Sequence, residues 1–183
     1  MRTELKRLHQ LLKTTIVYVT HDQIEAMTLA TRIAVMHEGR IEQVGTPEEI
    51  YNAPATRYVA TFVGAPPMNM MDATVSGGKL ALDGTDIRFD LPTGVSGLSD
   101  GEKLVAGLRP EALHLAPDGP IAAVCDVAEL TGPELVVTAT VGGQQIMAAL
   151  PPATHLEAGD TLRLGFAPET LHLFNRDTGT RRT

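Results

Sequence analysis

The order of apolar and polar positions divides the chain near residue 66. In residues 2–13, Leu5, Leu8 and Leu12 recur at helical spacing with charges between them, which predicts an amphipathic helix ending at Lys13-Thr14. Thr15-Ile16-Val17-Tyr18-Val19 follows as a β-branched run without polar alternation, the form expected of a strand covered on both faces in a parallel sheet. Thr20-His21-Asp22 turns the chain. Helix resumes from Gln23 to Thr31, with Thr20 or Asp22 as its N-cap and Gln23 or Glu25 in capping-box register. Apolar stretches at 33–36 and 41–44 bracket His37-Glu38-Gly39-Arg40, where a glycine can take the positive φ of a tight hairpin. Thr46-Pro47-Glu48-Glu49 supplies a capping threonine, a proline at the first helical position and a glutamate at the reciprocal position. A last helix from about Thr56 sets Tyr58 and Phe62, and Val59 and Val63, four apart, and stops at Gly64 before Pro66-Pro67.

Beyond that stop the pattern changes to short strands broken by Gly, Asp and Pro, which predicts a small barrel or sandwich. The expected division is therefore an α/β segment over 1–66 and an all-β domain over 67–183. The β region also contains a repeat. Residues 98–115 (LSDGEKLVAGLRPEALHL) and 156–173 (LEAGDTLRLGFAPETLHL) agree at nine of eighteen positions. The shared residues describe one β unit: a turn at Gly-Asp/Glu, a strand, a Pro-Glu corner and a short second strand, stacked so that the leucines share a core. The uncharged run 135–156 is long enough to cross a bilayer, but Gly142-Gly143, Gln144-Gln145 and Pro151-Pro152 interrupt it, so it reads as two strands and loops.

Composition narrows the function classes. With 43% hydrophobic and 20% charged residues the chain is of globular type, and a net charge of −7 gives no broad attraction to nucleic acid or anionic lipid. Cys125 stands alone among Ala123, Val124 and Val127, so it reads as a small buried hydrophobe and fits a reducing compartment. The first residues carry basic charge but no apolar h-region of a secretion signal. His9, His37, His114, His155 and His172 show no metal-ligand spacing, and His114 and His172 coincide within the repeat, which favours a shared structural role. Met68, Met70 and Met71 read as adaptable packing at a domain junction rather than a soft-metal site, and Arg109 with Glu111 as a solvated pair. No metal is expected.

His21 is the residue that carries chemistry. It sits where an apolar strand gives way to a helix, and in open α/β sheets ligands bind beyond the carboxyl ends of strands. By position alone such a histidine more often satisfies a strand-end carbonyl, so its context has to decide.

That context is TIVYVTHDQIEAMTLATRIAVMHEGRIEQVGTPEEIYNAPATRYVATFVGAPPMN, which closely resembles the ATP-binding subunits of ABC importers for maltose, related oligosaccharides and glycerol 3-phosphate. The resemblance continues through GLRPE at 107–111 and LHLFNRDTG at 171–179, which are similar to the regulatory segment of those subunits, an OB-like, TOBE-type β-barrel. It implies an α/β end of an ABC-type nucleotide-binding domain followed by that barrel. It further implies that His21 is the switch-loop histidine contacting the γ-phosphate, with ATP and Mg in the intact subunit and Asp22 as a helix cap. The implied partners are a second copy in a homodimer, inner-membrane permease subunits and a regulatory protein, at the cytoplasmic face of the inner membrane.

The pattern is incomplete. No G-x-x-x-x-G-K-[ST] phosphate loop occurs, nor an apolar strand ending in Asp-Glu to hold magnesium. Ser99-Asp100-Gly101 after Leu98 is only a faint likeness of the LSGGQ signature and belongs to the β repeat. The expectation is of a chain that starts inside the helix following the family's D-loop and does not hydrolyse ATP alone, with an unpaired edge at 15–19. The alternative from another class is a non-enzymatic module in which 68–176 binds a small oxyanion, a sugar or a regulatory protein.

Overall fold

A computed structural model describes residues 2–92 and 94–183. The chain divides into two compact units, Met1–Ala65 and Pro66–Thr183.

The first unit opens with helix α1 (Arg2–Leu12), followed by a linking stretch without regular structure to Asp22 and helix α2 (Gln23–Leu29). Asp22, the alternative to Thr20, is the N-cap: its carboxylate accepts from the amides of Ile24 at 2.8 Å and Glu25 at 3.1 Å. Helix α2 ends at Leu29, two residues before the expected Thr31, because Ala30 turns to an extended conformation. Strands β1 (Ile33–His37) and β2 (Arg40–Gly45) form an antiparallel hairpin. Its turn puts both Glu38 and Gly39 at positive φ, the conformation whose twist suits a two-residue hairpin. Helix α3 (Pro47–Asn52) starts with the full reciprocal capping box of Thr46 and Glu49, and helix α4 (Arg57–Phe62) is capped by Thr56. A small core of Val35, Ile50, Val59 and Val63 holds these pieces together. A ring stack runs beside it, with His37 on Tyr58 at 3.8 Å and Tyr58 on Phe62 at 5.5 Å.

The segment 15–19 departs from expectation. It forms no regular element, among the described residues no strand pairs with it, and Val17 and Val19 are 88% and 91% exposed. A run with the composition of a buried strand remains uncovered here because the elements that share its cleft are α1, α2, β1 and residues of α3 and α4, none of which pairs with it as a strand.

The second unit is all-β. One sheet has the order β13-β12-β6-β3-β4-β5 and the other β10-β9-β8-β11-β7, every pair antiparallel. The strands are β3 (Asn69–Ser76), β4 (Lys79–Leu82), β5 (Arg88–Asp90), β6 (Lys103–Leu108) and β7 (His114–Leu115) in the first half. The second half has β8 (Ile121–Leu130), β9 (Leu135–Val141), β10 (Gln144–Leu150), β11 (Thr161–Gly165) and β12 (His172–Asn175), with β13 (Arg181–Arg182) closing the chain. As expected for 135–156, β9 and β10 meet at Gly142-Gly143, both at positive φ.

The two sheet orders repeat one plan. Strands β3, β4, β5 and β6 occupy the places of β8, β9, β10 and β11, and each half lends its last strand to the other's sheet: β12 pairs with β6, and β7 with β11. The register is reciprocal, Gly107 opposite His172 and Gly165 opposite His114. The turns that precede β6 and β11 match bond for bond. Ser99 N–H donates to the Glu102 carboxylate, Glu157 N–H to that of Asp160, and the pairs Val75/Glu102 and Cys125/Asp160 share the same backbone bond. The repeat read at 98–115 and 156–173 is thus the visible part of a duplication spanning most of the unit. Its copies exchange strands, where simple stacking was expected. The shared core runs through both halves, from Met71, Leu80 and Leu104 to Ile121, Leu164 and Leu173, and includes the buried Cys125.

Two expectations about side chains are corrected. Arg109 is buried, at 5% exposure, where a solvated side chain was expected, while Glu111 is exposed. His114 and His172 do not share an environment: His114 is exposed, whereas His172 is 8% exposed with its Nδ1 unpartnered. Burial and the nearby Arg181 and Arg109 charges lower the His172 pKa to about 4.

Candidate functional site

The residues around His21 are held from several sides. Thr20 hydroxyl donates to the Glu25 carboxylate at 2.9 Å and accepts from Asp22 N–H at 2.9 Å, while Tyr18 hydroxyl donates to the same carboxylate at 3.1 Å. That bond, and the charge it faces, raise the pKa of the Tyr18 phenol, since ionisation would set two anions together. Gln23 clamps the end of α4: its side-chain amide donates to Phe62 carbonyl and accepts from Gly64 N–H at 2.9 Å. Lys6 Nζ donates to Thr28 carbonyl at 3.3 Å, tying α1 to α2.

Between these anchors His21 lies at the bend that joins the linking segment to α2. It is exposed, and among the described residues its ring has no hydrogen bond or ion pair. It borders a cleft of about 890 Å³ whose walls come from α1, the linking segment, α2 and β1, with Ile50, Phe62 and Val63 also lining it. The walls are mostly apolar, with Leu8, Ile16, Val17, Met27 and Val35 among them. The fixed backbone on both sides of a free imidazole allows it to donate to an anionic group brought into the cleft.

Sequence reasoning singled out His21 and Asp22 but missed Gln23 and Glu25 as the positioning residues. The signal was present in part: Tyr18, Thr20 and Glu25 are spaced so that a helix beginning at residue 23 turns its third residue back toward the preceding strand. The clamp of Gln23 on residues 62–64 joins positions about forty apart, which no local pattern announces. Among the described residues no group of three or more His, Cys, Asp or Glu side chains could hold a metal ion. No helix among them is long and apolar enough to cross a membrane.

Comparison with known proteins places these features. The family described as the MalK OB fold domain matches residues 64–113, and the TOBE domain family matches 106–174. The chain is 44% identical to the sulfoquinovosyl glycerol transport ATP-binding protein SmoE of Agrobacterium fabrum, over 97% of this chain and 51% of that protein. It is 43% identical to the sn-glycerol-3-phosphate import ATP-binding protein UgpC of Chromobacterium violaceum, over 99% of this chain and 50% of that protein. The UgpC of Yersinia pestis is likewise 43% identical, over 99% and 51%. The chain therefore spans about half the length of the curated relatives it matches. Among solved structures, the cytoplasmic molybdate-binding protein ModG covers 57% of this chain and 94% of its own at a TM-score of 0.49 and 16% identity, too slight a likeness to carry functional meaning. The chain corresponds to the C-terminal part of the ATP-binding subunit of sugar- and glycerol 3-phosphate-type ABC importers, with MalK-type OB and TOBE domains.

Proposed function

We propose that this chain is the switch-bearing and regulatory portion of a solute importer's ATP-binding subunit, and that His21 contacts the terminal phosphate of ATP there. The observation that supports this is the exposed, unbonded His21 ring at a backbone bend held on both sides by Thr20, Asp22 and Gln23. A ring already committed to a packed side chain or a carbonyl would have no capacity for a phosphate oxygen.

The fit to ATP is partial. One imidazole donor is present, while the phosphate loop and the magnesium-holding carboxylate are absent from the 183 residues. ATP and Mg would supply the hydrolysable phosphoanhydride and its charge neutralisation. The residues of this chain do three things: His21 donates toward the γ-phosphate, Asp22 fixes the start of α2, and Glu25 holds Thr20 and Tyr18 so that the bend keeps its shape. The division between Ala65 and Pro66 then separates this switch element from a regulatory β domain. In the intact subunit the partners are a second copy, permease subunits at the cytoplasmic face of the membrane, and a regulatory protein. The chain by itself does not hydrolyse ATP.

The test joins this chain to the remaining half of a relative such as UgpC. ATPase activity should appear in the joined protein and not in the 183-residue chain. His21→Ala in the joined protein should remove most turnover while leaving nucleotide binding nearly intact. Unchanged turnover would take His21 out of the mechanism.

A further inference from the structure

The bonds among Tyr18, Thr20, Asp22, Ile24 and Glu25 shape the bend at His21, but they span at most seven residues and move with it as one body. Met27 of α2 packs against the core of the first unit, and apolar contact of that kind is non-directional. Gln23 makes the directional tie. It is the first residue of α2 and stands two places after His21, yet its partners lie 39 and 41 residues away, at Phe62 carbonyl and Gly64 N–H.

The ending of α4 is arranged to receive it. A helix that closes on a left-handed glycine commonly returns that residue's N–H to one of its own last carbonyls. Here the C-cap Val63 is extended, at φ −102° and ψ 116°, and Gly64 lies at φ 121°, far from the left-handed helical value. Gly64 N–H therefore leaves the helix and donates to Gln23 at 2.9 Å, while the same side-chain amide donates back to Phe62 carbonyl. The two bonded groups flank Val63, a member of the buried core with Val35, Ile50 and Val59. Residues 62–64 also stand just before Ala65, the last residue of the first unit, so the point to which the bend is fastened is the exit of the chain toward the β unit.

We propose that Gln23 is a positioning residue for His21 and that it acts through the ending of α4, so that a displacement of residues 62–64 reaches the His21 bend. The consequence for turnover rests on the reading of His21 as a phosphate contact; the tie between the two places does not.

The test has two arms. In the 183-residue chain, nuclear magnetic resonance follows the His21 ring protons and the Gly64 amide. Gln23→Met, of similar length but without the amide, should open the Gly64 amide to exchange and shift the His21 ring signals. Gly64→Ala, strained at φ 121°, should shift the same His21 signals from the other end. In the joined protein each variant should lower kcat roughly tenfold with KM for ATP unchanged, since each misplaces His21 without removing a nucleotide contact. The double variant should be no slower than either single one, because both break one link, and Gln23→Glu, which keeps the acceptor for Gly64 N–H, should recover part of the loss. His21 signals indifferent to both variants, or losses in kcat that multiply in the double variant, would overturn the proposal. If instead the His21 signals respond to both variants while His21→Ala leaves turnover unchanged, the phosphate reading falls and the tie between Gln23 and His21 stands.

Discussion

At the scale of single residues, the β unit depends on places where no side chain fits. A Cβ on Gly119 would lie 2.5 Å from the backbone of Leu164, which cannot move aside. On Gly107 it would meet Met68 Sδ at 2.7 Å and the buried Phe174 ring at 2.8 Å, and on Gly165 the exposed His114 ring at 3.0 Å. Alanine substitutions should therefore destabilise in the order Gly119, Gly107, Gly165, with Gly107→Ala costing roughly 1–3 kcal/mol in denaturant unfolding. His172 gives a pH signature. Its folded pKa of about 4 is below the ordinary 6.5, so the unfolded chain binds a proton that the folded chain refuses between those values. Stability from this group is complete above pH 6.5 and declines as pH falls toward 4, by on the order of 3 kcal/mol at most. His172→Phe should flatten that part of the stability–pH curve, measured by urea unfolding at pH 7 and pH 4.5.

At the scale of elements, the starts of the short helices and the exchange of strands carry most of the specificity. The capping box before α3 satisfies two orphan amides, with Glu49 N–H donating to Thr46 Oγ1 at 3.2 Å and Thr46 N–H to Glu49 Oε2 at 2.8 Å. Thr46→Ala should cost about 1 kcal/mol. The strand exchange has a larger consequence. The half ending at β7 lacks β12, which pairs with the side of β6 away from β3, and the half from β8 to β12 lacks β7, which pairs with the side of β11 away from β8. Residues 66–118 and 119–183 expressed separately should be unstructured or aggregated, while their co-expression should yield a soluble complex with the sheet spectrum of the intact unit. A folded, monomeric 66–118 would show that the exchange is dispensable. Asn69 adds to this interdependence: its amide donates to Met147 carbonyl at 2.8 Å and accepts from Met147 N–H at 2.7 Å, standing in for a neighbouring strand on the β10 edge. Arg176 ties the end of the chain back to Asp72 at 2.7 Å and Asp83 at 3.2 Å.

At the scale of the whole molecule, the two units differ in how much they bury. Among the described residues, a cluster of 24 buried residues fills the β unit, against 4 in the first unit. Burial of apolar area is the dominant favourable term in folding, so the β unit should unfold as one cooperative transition and the first unit should open at far lower cost. Native-state hydrogen exchange checks this: amides of β6, β8 and β9 should exchange last, and those of residues 14–20 first. The latter should exchange near the rate of an unstructured chain.

Local chemistry was legible from the sequence alone: the hairpin at 38–39, the Thr46–Glu49 cap, the two strands within 135–156 and the repeated Pro-Glu corners. In each case the determining residues are neighbours whose φ/ψ or capping preferences act without help from distant segments. The importer resemblance was legible for the same reason, being carried by a continuous run of residues. What the tertiary structure decided is where complementary surfaces are found. The run at 15–19 has the composition of an interior strand, yet it becomes one only when flanking strands exist, and among the described residues none pairs with it. The same lack of a local signal hid the burial of Arg109, the different settings of His114 and His172, and the exchange of β7 and β12 between sheets. Each of these depends on which distant atoms arrive beside a residue, a matter of packing that the spacing of residues along the chain does not encode.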